Sequence, residues 1–128
     1  MWFNRHAKEW GIRVLPELRI QVSATRFRIA DVCLLDRNLP IEQIPKEHLP
    51  MAVIEILSPE DRMSKYQRRL EDCRQAGISH LWVINPETKT GYDCSTGSWI
   101  ETAHFQIAGT PIELDLPALF KTLEEERT

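Results

Sequence analysis

The stretch that decides the fold is VIEILSPEDR, residues 53–62. Its first five residues form an apolar run that contains one carboxylate, Glu55. A short and nearly continuous apolar run is typical of a central strand that is buried on both faces. A carboxylate in such a strand must be paired, neutralised or bound to a metal, because an unpaired buried charge is costly. The stretch therefore raises the question of what compensates Glu55.

The residues that follow the run predict a helix. Ser58 and Asp61 have the spacing of a capping box, and Pro59 falls at the first helical position, where its missing N–H costs nothing. We expect the helix to continue to about Ala76 and Gly77 to end it in the left-handed conformation. Its predicted inner face comprises Met63, Tyr66 or Gln67, Leu70 and Cys73. The run HLWVIN at 80–85 reads as a second buried strand, and this order predicts a parallel βαβ unit.

The rest of the chain surrounds this unit with short elements. Residues 2–10 have helical spacing and end at Gly11. Alternating patterns predict a hairpin of two strands at 13–23 and 26–36, and the proline-rich segment 37–50 reads as a loop. Two short strands are expected within 90–102, an edge strand at 112–116 and a final helix at 116–128. We therefore expect a single α/β (α+β) domain over residues 1–128, with a mixed sheet flanked by helices.

Composition limits the class of protein. The chain has 128 residues, 42% of them hydrophobic, which suits a packed core. We find no apolar run near the roughly 20 residues of a membrane helix and no apolar segment of a secretory signal at the start. The three cysteines show no CxxC spacing, so a cytoplasmic location is expected. With a net charge of −3, nucleic acid would have to bind in a local basic groove.

Asp31 is a second acid that lies on an apolar face of a predicted strand. By the period of two, Asp31 lies on one side of its strand together with Phe27, Ile29, Cys33 and Leu35. Two carboxylates on neighbouring strands supply the oxygen ligands that Mg²⁺ prefers. The alternative is that each acid is a structural residue held by a salt bridge. Glu17, on the polar face of the first strand, is a third candidate acid, although a surface role describes it more simply.

The predicted helix carries the opposite charge. Arg62, Lys65 and Arg69 lie at i, i+3 and i+7 along one flank. Because the helix follows the Glu55 strand directly, this flank can lie near the carboxylate. A cation there could orient a water or stabilise charge on a phosphate. The alternative is a solvated face that also includes Glu71 and Asp72.

The ordered string of motifs resembles a known family. The segments RIADV at 28–32, VIEILSPEDRMS at 53–64 and AGISHLWVINP at 76–86, with the proline-rich loop and charged helix between them, resemble the Uma-two-type endonucleases. These belong to the PD-(D/E)XK, or restriction-endonuclease-like, superfamily. The resemblance covers most of residues 13–95. It implies a restriction-endonuclease-like mixed sheet flanked by helices, and an N-terminal helix that is short for the family, with Glu9 as its sole acid.

The resemblance also implies a site. Asp31 matches the metal-binding aspartate of the superfamily, and Glu55 matches the acid of its ExK motif. Leu57 stands where the motif has lysine. In this family the lysine comes from the following helix, where Arg69 stands by its spacing to Gly77, and Lys65 lies one turn earlier.

The leading hypothesis is a Mg²⁺- or Mn²⁺-dependent endonuclease. Asp31, Glu55 and the carbonyl of Ile56 would hold the ion, and Arg69 or Lys65 would position the water or the phosphate. Nucleic acid, in the first place DNA, would contact Arg62, Lys65 and Arg69, and a homodimer would suit the superfamily. Two other readings stay open: a catalytically inactive domain of this fold for nucleic-acid binding or protein assembly, and a structural α/β domain with salt-bridged acids.

Overall fold

The computed structural model describes residues 2–25, 27–38, 49–60 and 62–127. Within these ranges the chain forms three helices and eight strands. The helices are α1 (Trp2–Trp10), α2 (Met63–Ala76) and α3 (Leu116–Arg127). The strands are β1 (Ile12–Gln21), β2 (Phe27–Asp36), β3 (Ala52–Ile56), β4 (His80–Asn85), β5 (Thr90–Asp93), β6 (Ile100–Glu101), β7 (His104–Gln106) and β8 (Glu113–Asp115).

Six strands form the main sheet in the order β1-β2-β3-β4-β5-β6. Only the β3–β4 pair is parallel among them, and α2 connects these two strands, which confirms the predicted βαβ unit. The hairpin of β1 and β2 is also confirmed as an antiparallel pair. The predicted edge strand near 112–116 is instead β8, which pairs with β7 in a separate two-stranded sheet. The mixed α+β architecture is thus as expected.

Two groups of apolar side chains pack on the two faces of the main sheet. On one face, α2 contributes Leu70 and Cys73. The other face is covered by residues from α1, α3 and the small sheet, among them Phe3, Leu116 and Phe105. Trp82 on β4 is completely buried there, as core packing requires. In the described part of the chain, no helix is long and apolar enough to cross a membrane.

The predicted start of α2 is wrong, whereas its end is confirmed. The helix begins at Met63, and Arg62 occupies the N-cap position without a side-chain capping bond. Ser58 Oγ instead accepts a hydrogen bond from the Glu60 N–H at 3.4 Å, so the hydroxyl stabilises a turn before the helix. Asp61, the other half of the proposed capping box, lies outside the described residues. Gly77 ends the helix at φ 107°, and its N–H bonds to the Arg74 carbonyl.

Two predicted inner faces need correction. On α2, Tyr66, Leu70 and Cys73 are buried, but Met63 is 47% exposed and Gln67 faces solvent. Met63 is the first residue of the helix. On β2, Cys33 and Leu35 are buried but Ile29 is 57% exposed, because β3 pairs with β2 only from Val32 to Leu34. The side chain of Phe27 and most of the predicted 37–50 loop lie outside the described residues.

Candidate active site at the junction of β2 and β3

The two predicted acids lie side by side. Because Val32 pairs with Ile54 in the antiparallel β2–β3 ladder, Asp31 and Glu55 occupy the next position along the two strands. Asp31 Oδ2 accepts a hydrogen bond of 2.8 Å from the Ile56 N–H. The strand register therefore brings Asp31, Glu55 and Ile56 into one small region under α2.

The Glu55 carboxyl is buried, with 1% of its surface exposed. The pKa of Glu55 is raised from 4.5 to about 8, first by burial and then by the hydrogen bond and charge of Asp31, while Arg69 acts in the opposite direction. Glu55 therefore retains a proton at neutral pH in a large share of molecules. A bound cation would favour the ionised Glu55 carboxyl and so oppose both burial and the charge of Asp31, which raise this pKa.

Arg69 is the basic residue that compensates Glu55. Its Nη1 lies 3.1 Å from Glu55 Oε2, and its side chain is 20% exposed. Of the predicted basic flank, Arg62 is exposed at the N-cap of α2 and Lys65 is exposed in the first turn. The groups that act on the Glu55 carboxyl are Asp31 and Arg69. The buried carboxyl is thus accommodated in two ways: burial and Asp31 favour its protonated form, and Arg69 pairs with its charged form.

Tyr66 belongs to this region, although its sequence pattern indicated only a place on the inner face of the helix. Its hydroxyl donates to the Ile56 carbonyl at 3.3 Å and accepts from the Ser58 N–H at 3.4 Å. The Arg69 guanidinium lies over the Tyr66 ring, 5.4 Å from its centre. The signal available in the sequence was a predicted buried tyrosine three residues before Arg69, because a buried phenol needs a hydrogen-bond partner.

The two thiols beside the site are neutral. Burial is the main cause that raises the pKa of Cys73 to about 12, and the charge of Glu55 adds to it. The pKa of Cys33 is raised as well, first by burial and then by Cys73, Glu55 and Asp31. These thiols therefore neither add negative charge nor act as thiolate ligands at neutral pH.

The oxygen atoms at the junction of β2 and β3 are of the kind that binds a hard divalent cation. They are two carboxylates and one backbone carbonyl, and such ions take oxygen ligands and complete their shell with water. Among the described residues, no group of three or more His, Cys, Asp or Glu side chains could hold a metal. The fit therefore depends on Asp31, Glu55 and the Ile56 carbonyl, each of which also has a protein hydrogen-bond partner.

Two further acids were considered from the sequence, Glu17 and Glu9, and they lie on different elements. Glu17 on β1 is exposed and has φ 52°, a left-handed conformation that is uncommon for a residue other than glycine. It lies between two residues that pair with β2 on either side of Asp31. Glu9 on α1 is exposed and forms a 3.5 Å contact with His6.

Comparison with known proteins places the chain among nuclease-like proteins. Residues 1–118 match the family model Uma2, described as "Putative restriction endonuclease". A crystal structure from Anabaena variabilis, described as a "putative nuclease belonging to DUF820", superposes with a TM-score of 0.73 at 21% identity. That match covers 94% of this chain and 75% of the other.

A second solved structure is more distant. It is described as "cryoEM structure DrdV-DNA complex", has a TM-score of 0.52 and is 14% identical. The match covers 94% of this chain but only 10% of that one. Both likenesses concern the fold alone. No curated protein sequence matches the chain.

Proposed function

The chain belongs to the Uma2 family, and from this premise we propose that it is a metal-dependent endonuclease whose ion is held by Asp31, Glu55 and the Ile56 carbonyl. One observation carries the proposal: the register of β2 and β3 brings two carboxyl groups together under α2, and the pKa of Glu55 rises to about 8. A perturbed acid beside a second carboxylate is typical of a functional site.

Each residue of the site has a distinct role in this proposal. When bound, Mg²⁺ or Mn²⁺ supplies Lewis-acid chemistry to the phosphodiester and lowers the pKa of a bound water. Asp31 and Glu55 provide the negative charge that retains the ion. Arg69 holds the phosphate or the attacking water, because an arginine stays protonated and is suited to binding rather than to proton transfer. Lys65, one turn before Arg69 on α2, is the proposed proton-exchanging residue.

Nucleic acid is the proposed substrate, and DNA is its proposed form. Lys65 and Arg69 lie on α2 and Arg62 lies at its N-cap, and this helix covers the face of the sheet that carries Glu55. Since the whole chain has a net charge of −3, phosphate contacts must be concentrated on such a local group of cations. The single domain over residues 1–128, the homodimer and the cytoplasmic location stay predictions, and light scattering of the purified chain tests the dimer.

Cleavage assays with conservative variants test the function. We expect Mg²⁺- or Mn²⁺-dependent cleavage of single- or double-stranded DNA or RNA by the wild type. Asp31→Asn and Glu55→Gln should each lower the rate by at least about a hundredfold, since each removes a charge from the ion site. The matched control is Glu101→Gln, an exposed glutamate on β6, which should cleave at the wild-type rate. Equal rates in all four proteins would contradict the proposal.

A second function, nucleic-acid binding without catalysis, is favoured by a specific observation. Arg69 forms an ion pair with Glu55, and Leu57 occupies the position of the motif lysine, so the site has a fixed cation where a titratable one is expected. Arg69→Lys separates the two functions. Under the endonuclease proposal this variant cleaves at least as fast as the wild type. Tight DNA binding with no cleavage by either protein, in Mg²⁺ or Mn²⁺, would select the binding function.

A further inference from the structure

A cavity of about 210 Å³ adjoins the site at the ends of β3 and β4. Its walls include Leu57, Ser58, Met63, Tyr66, Asn85 and Glu87. Tyr66 is shared by the two places, because its hydroxyl bonds to the Ile56 carbonyl. A group bound in this cavity would therefore sit next to whatever occupies the region of Asp31 and Glu55.

The walls of the cavity offer apolar surface together with a donor and an acceptor. Leu57 and Met63 supply the apolar part, and Met63 is 47% exposed although it is a large hydrophobic residue. Asn85 Oδ1 accepts hydrogen bonds from the backbone N–H groups of Glu87 and Thr88, at 3.1 and 3.4 Å. The amide N–H₂ of Asn85 is thereby left as a donor, and the Glu87 carboxylate is an acceptor.

The acidic lining of the cavity disfavours a phosphate group and favours a nucleobase. Of the described residues that line the cavity, none is basic and Glu87 is acidic. A phosphate would be repelled there, whereas an exocyclic amino group can donate to the carboxylate. The volume suits one flat ring system and not a base pair. An aromatic ring whose edge has an amino donor next to a ring acceptor satisfies both polar walls.

We propose that this cavity is a subsite for one unpaired nucleobase that carries an exocyclic amino group, adjacent to the cleaved phosphate. The assignment rests on the proposed endonuclease function. Glu87 accepts from the amino group, the Asn85 amide donates to the neighbouring ring acceptor, and Met63 packs on the ring face. Bases without an amino group bind less well, since they offer a carbonyl oxygen where the Glu87 carboxylate requires a donor.

Methyl resonances of methionine provide the test. The chain has three methionines, so a protein labelled at the methionine methyl groups gives three signals, and Met63→Leu assigns the relevant one. The metal-free wild type is titrated with dCMP, dUMP and inorganic phosphate. We expect dCMP to shift the Met63 methyl and to bind roughly fivefold or more tightly than dUMP, the preference that one such base contact provides. The Met51 signal should stay in place.

Glu87→Gln is the deciding variant, and Glu101→Gln is its matched control. Glu87 is exposed on the turn after β4, so its replacement leaves the core intact. The preference for dCMP over dUMP should disappear in Glu87→Gln and persist in Glu101→Gln. The inference is overturned if the Met63 methyl does not respond to dCMP, if phosphate alone gives the same shift, or if the preference survives in Glu87→Gln.

Failure of the subsite and failure of the enzyme are distinguishable, because the titration involves neither metal nor cleavage. A Met63 response with the expected preference supports the subsite even if the wild type cleaves nothing. Metal-dependent cleavage without a Met63 response supports the endonuclease and overturns the subsite.

Discussion

Burial of the Glu55 carboxyl governs the electrostatics around the junction of β2 and β3. Its pKa is about 8 in the folded chain against an ordinary value of 4.5. The folded state therefore binds more protons than the unfolded chain between these two values, and stability must fall as pH rises through that window. Below about pH 4.5 the contribution is fully present, and above about pH 8 the loss is complete.

Glu55→Gln is expected to remove this pH dependence, because glutamine keeps the shape and cannot ionise. The slope due to Glu55 is at most about 1.4 kcal/mol per pH unit. Urea unfolding at pH 5 and pH 8.5 gives the comparison. The wild type should lose more stability than the variant between the two pH values, and the variant should be the more stable protein at pH 8.5. Parallel losses in both proteins would show that Glu55 is not the group responsible.

Tyr66 is expected to stabilise the site through its hydroxyl. Tyr66→Phe removes the bonds to the Ile56 carbonyl and the Ser58 N–H while it keeps the ring under Arg69. We expect a loss of about 1 kcal/mol in the free energy of unfolding, the usual net value of such a bond. Tyr92→Phe is the control, since Tyr92 is the other of the two tyrosines and is only half-buried. Equal effects in both variants would contradict this role.

At the scale of elements, an ion pair attaches α2 to β2. Arg28 reaches Asp72 Oδ2 with Nε at 2.8 Å and Nη2 at 2.6 Å, and both side chains are partly buried. Arg28→Gln and Asp72→Asn should each cost about 1 kcal/mol in the free energy of unfolding. The double variant should cost less than the sum, because the pair can be lost only once. Additive losses, measured by urea unfolding, would mean that the two residues act independently.

The elements also show what local sequence can and cannot predict. The end of α2 was predictable because Gly77 adopts φ 107°, a conformation that favours glycine. The start was not, because the same Ser58 hydroxyl can cap a helix or bond within a turn, and the packing around it decides between them. Strand β7 was missed because three residues are too few to show a period.

The candidate site likewise combines features that the sequence predicts with features that depend on tertiary packing. The two strand patterns predicted that Asp31 and Glu55 lie on neighbouring strands. The β2–β3 register that puts them side by side is set by tertiary pairing across the 37–50 segment, which the patterns do not specify. Helical spacing alone did not distinguish Arg62, Lys65 and Arg69, whereas the family resemblance pointed to Arg69. The packing of α2 on β3 makes Arg69 the ion-pair partner of Glu55. The bond from Tyr66 to the Ile56 carbonyl depends on the same packing.

At the scale of the whole molecule, one glycine permits the small sheet and α3 to approach the main sheet. A Cβ atom at Gly91 on β5 would lie 2.6 Å from Leu116 Cδ1 and 2.8 Å from Phe105 Cζ. Gly91→Ala should therefore destabilise the chain by about 1–3 kcal/mol, as overpacking of a core does. Ser98→Ala, in an exposed bend, is the control. A thermal midpoint for Gly91→Ala equal to that of the control would contradict this close contact.

A nuclease-like fold surrounds the two adjacent carboxyl groups of Asp31 and Glu55, and the proposed function requires that these groups bind a divalent ion. Calorimetric titration of Mn²⁺ at pH 8 tests it most directly, with the wild type, Glu55→Gln, Asp31→Asn and the control Glu101→Gln. We predict binding to one site in the wild type and the control, and none in the two site variants. Absence of binding to the wild type, or equal binding to all four proteins, would contradict the claim.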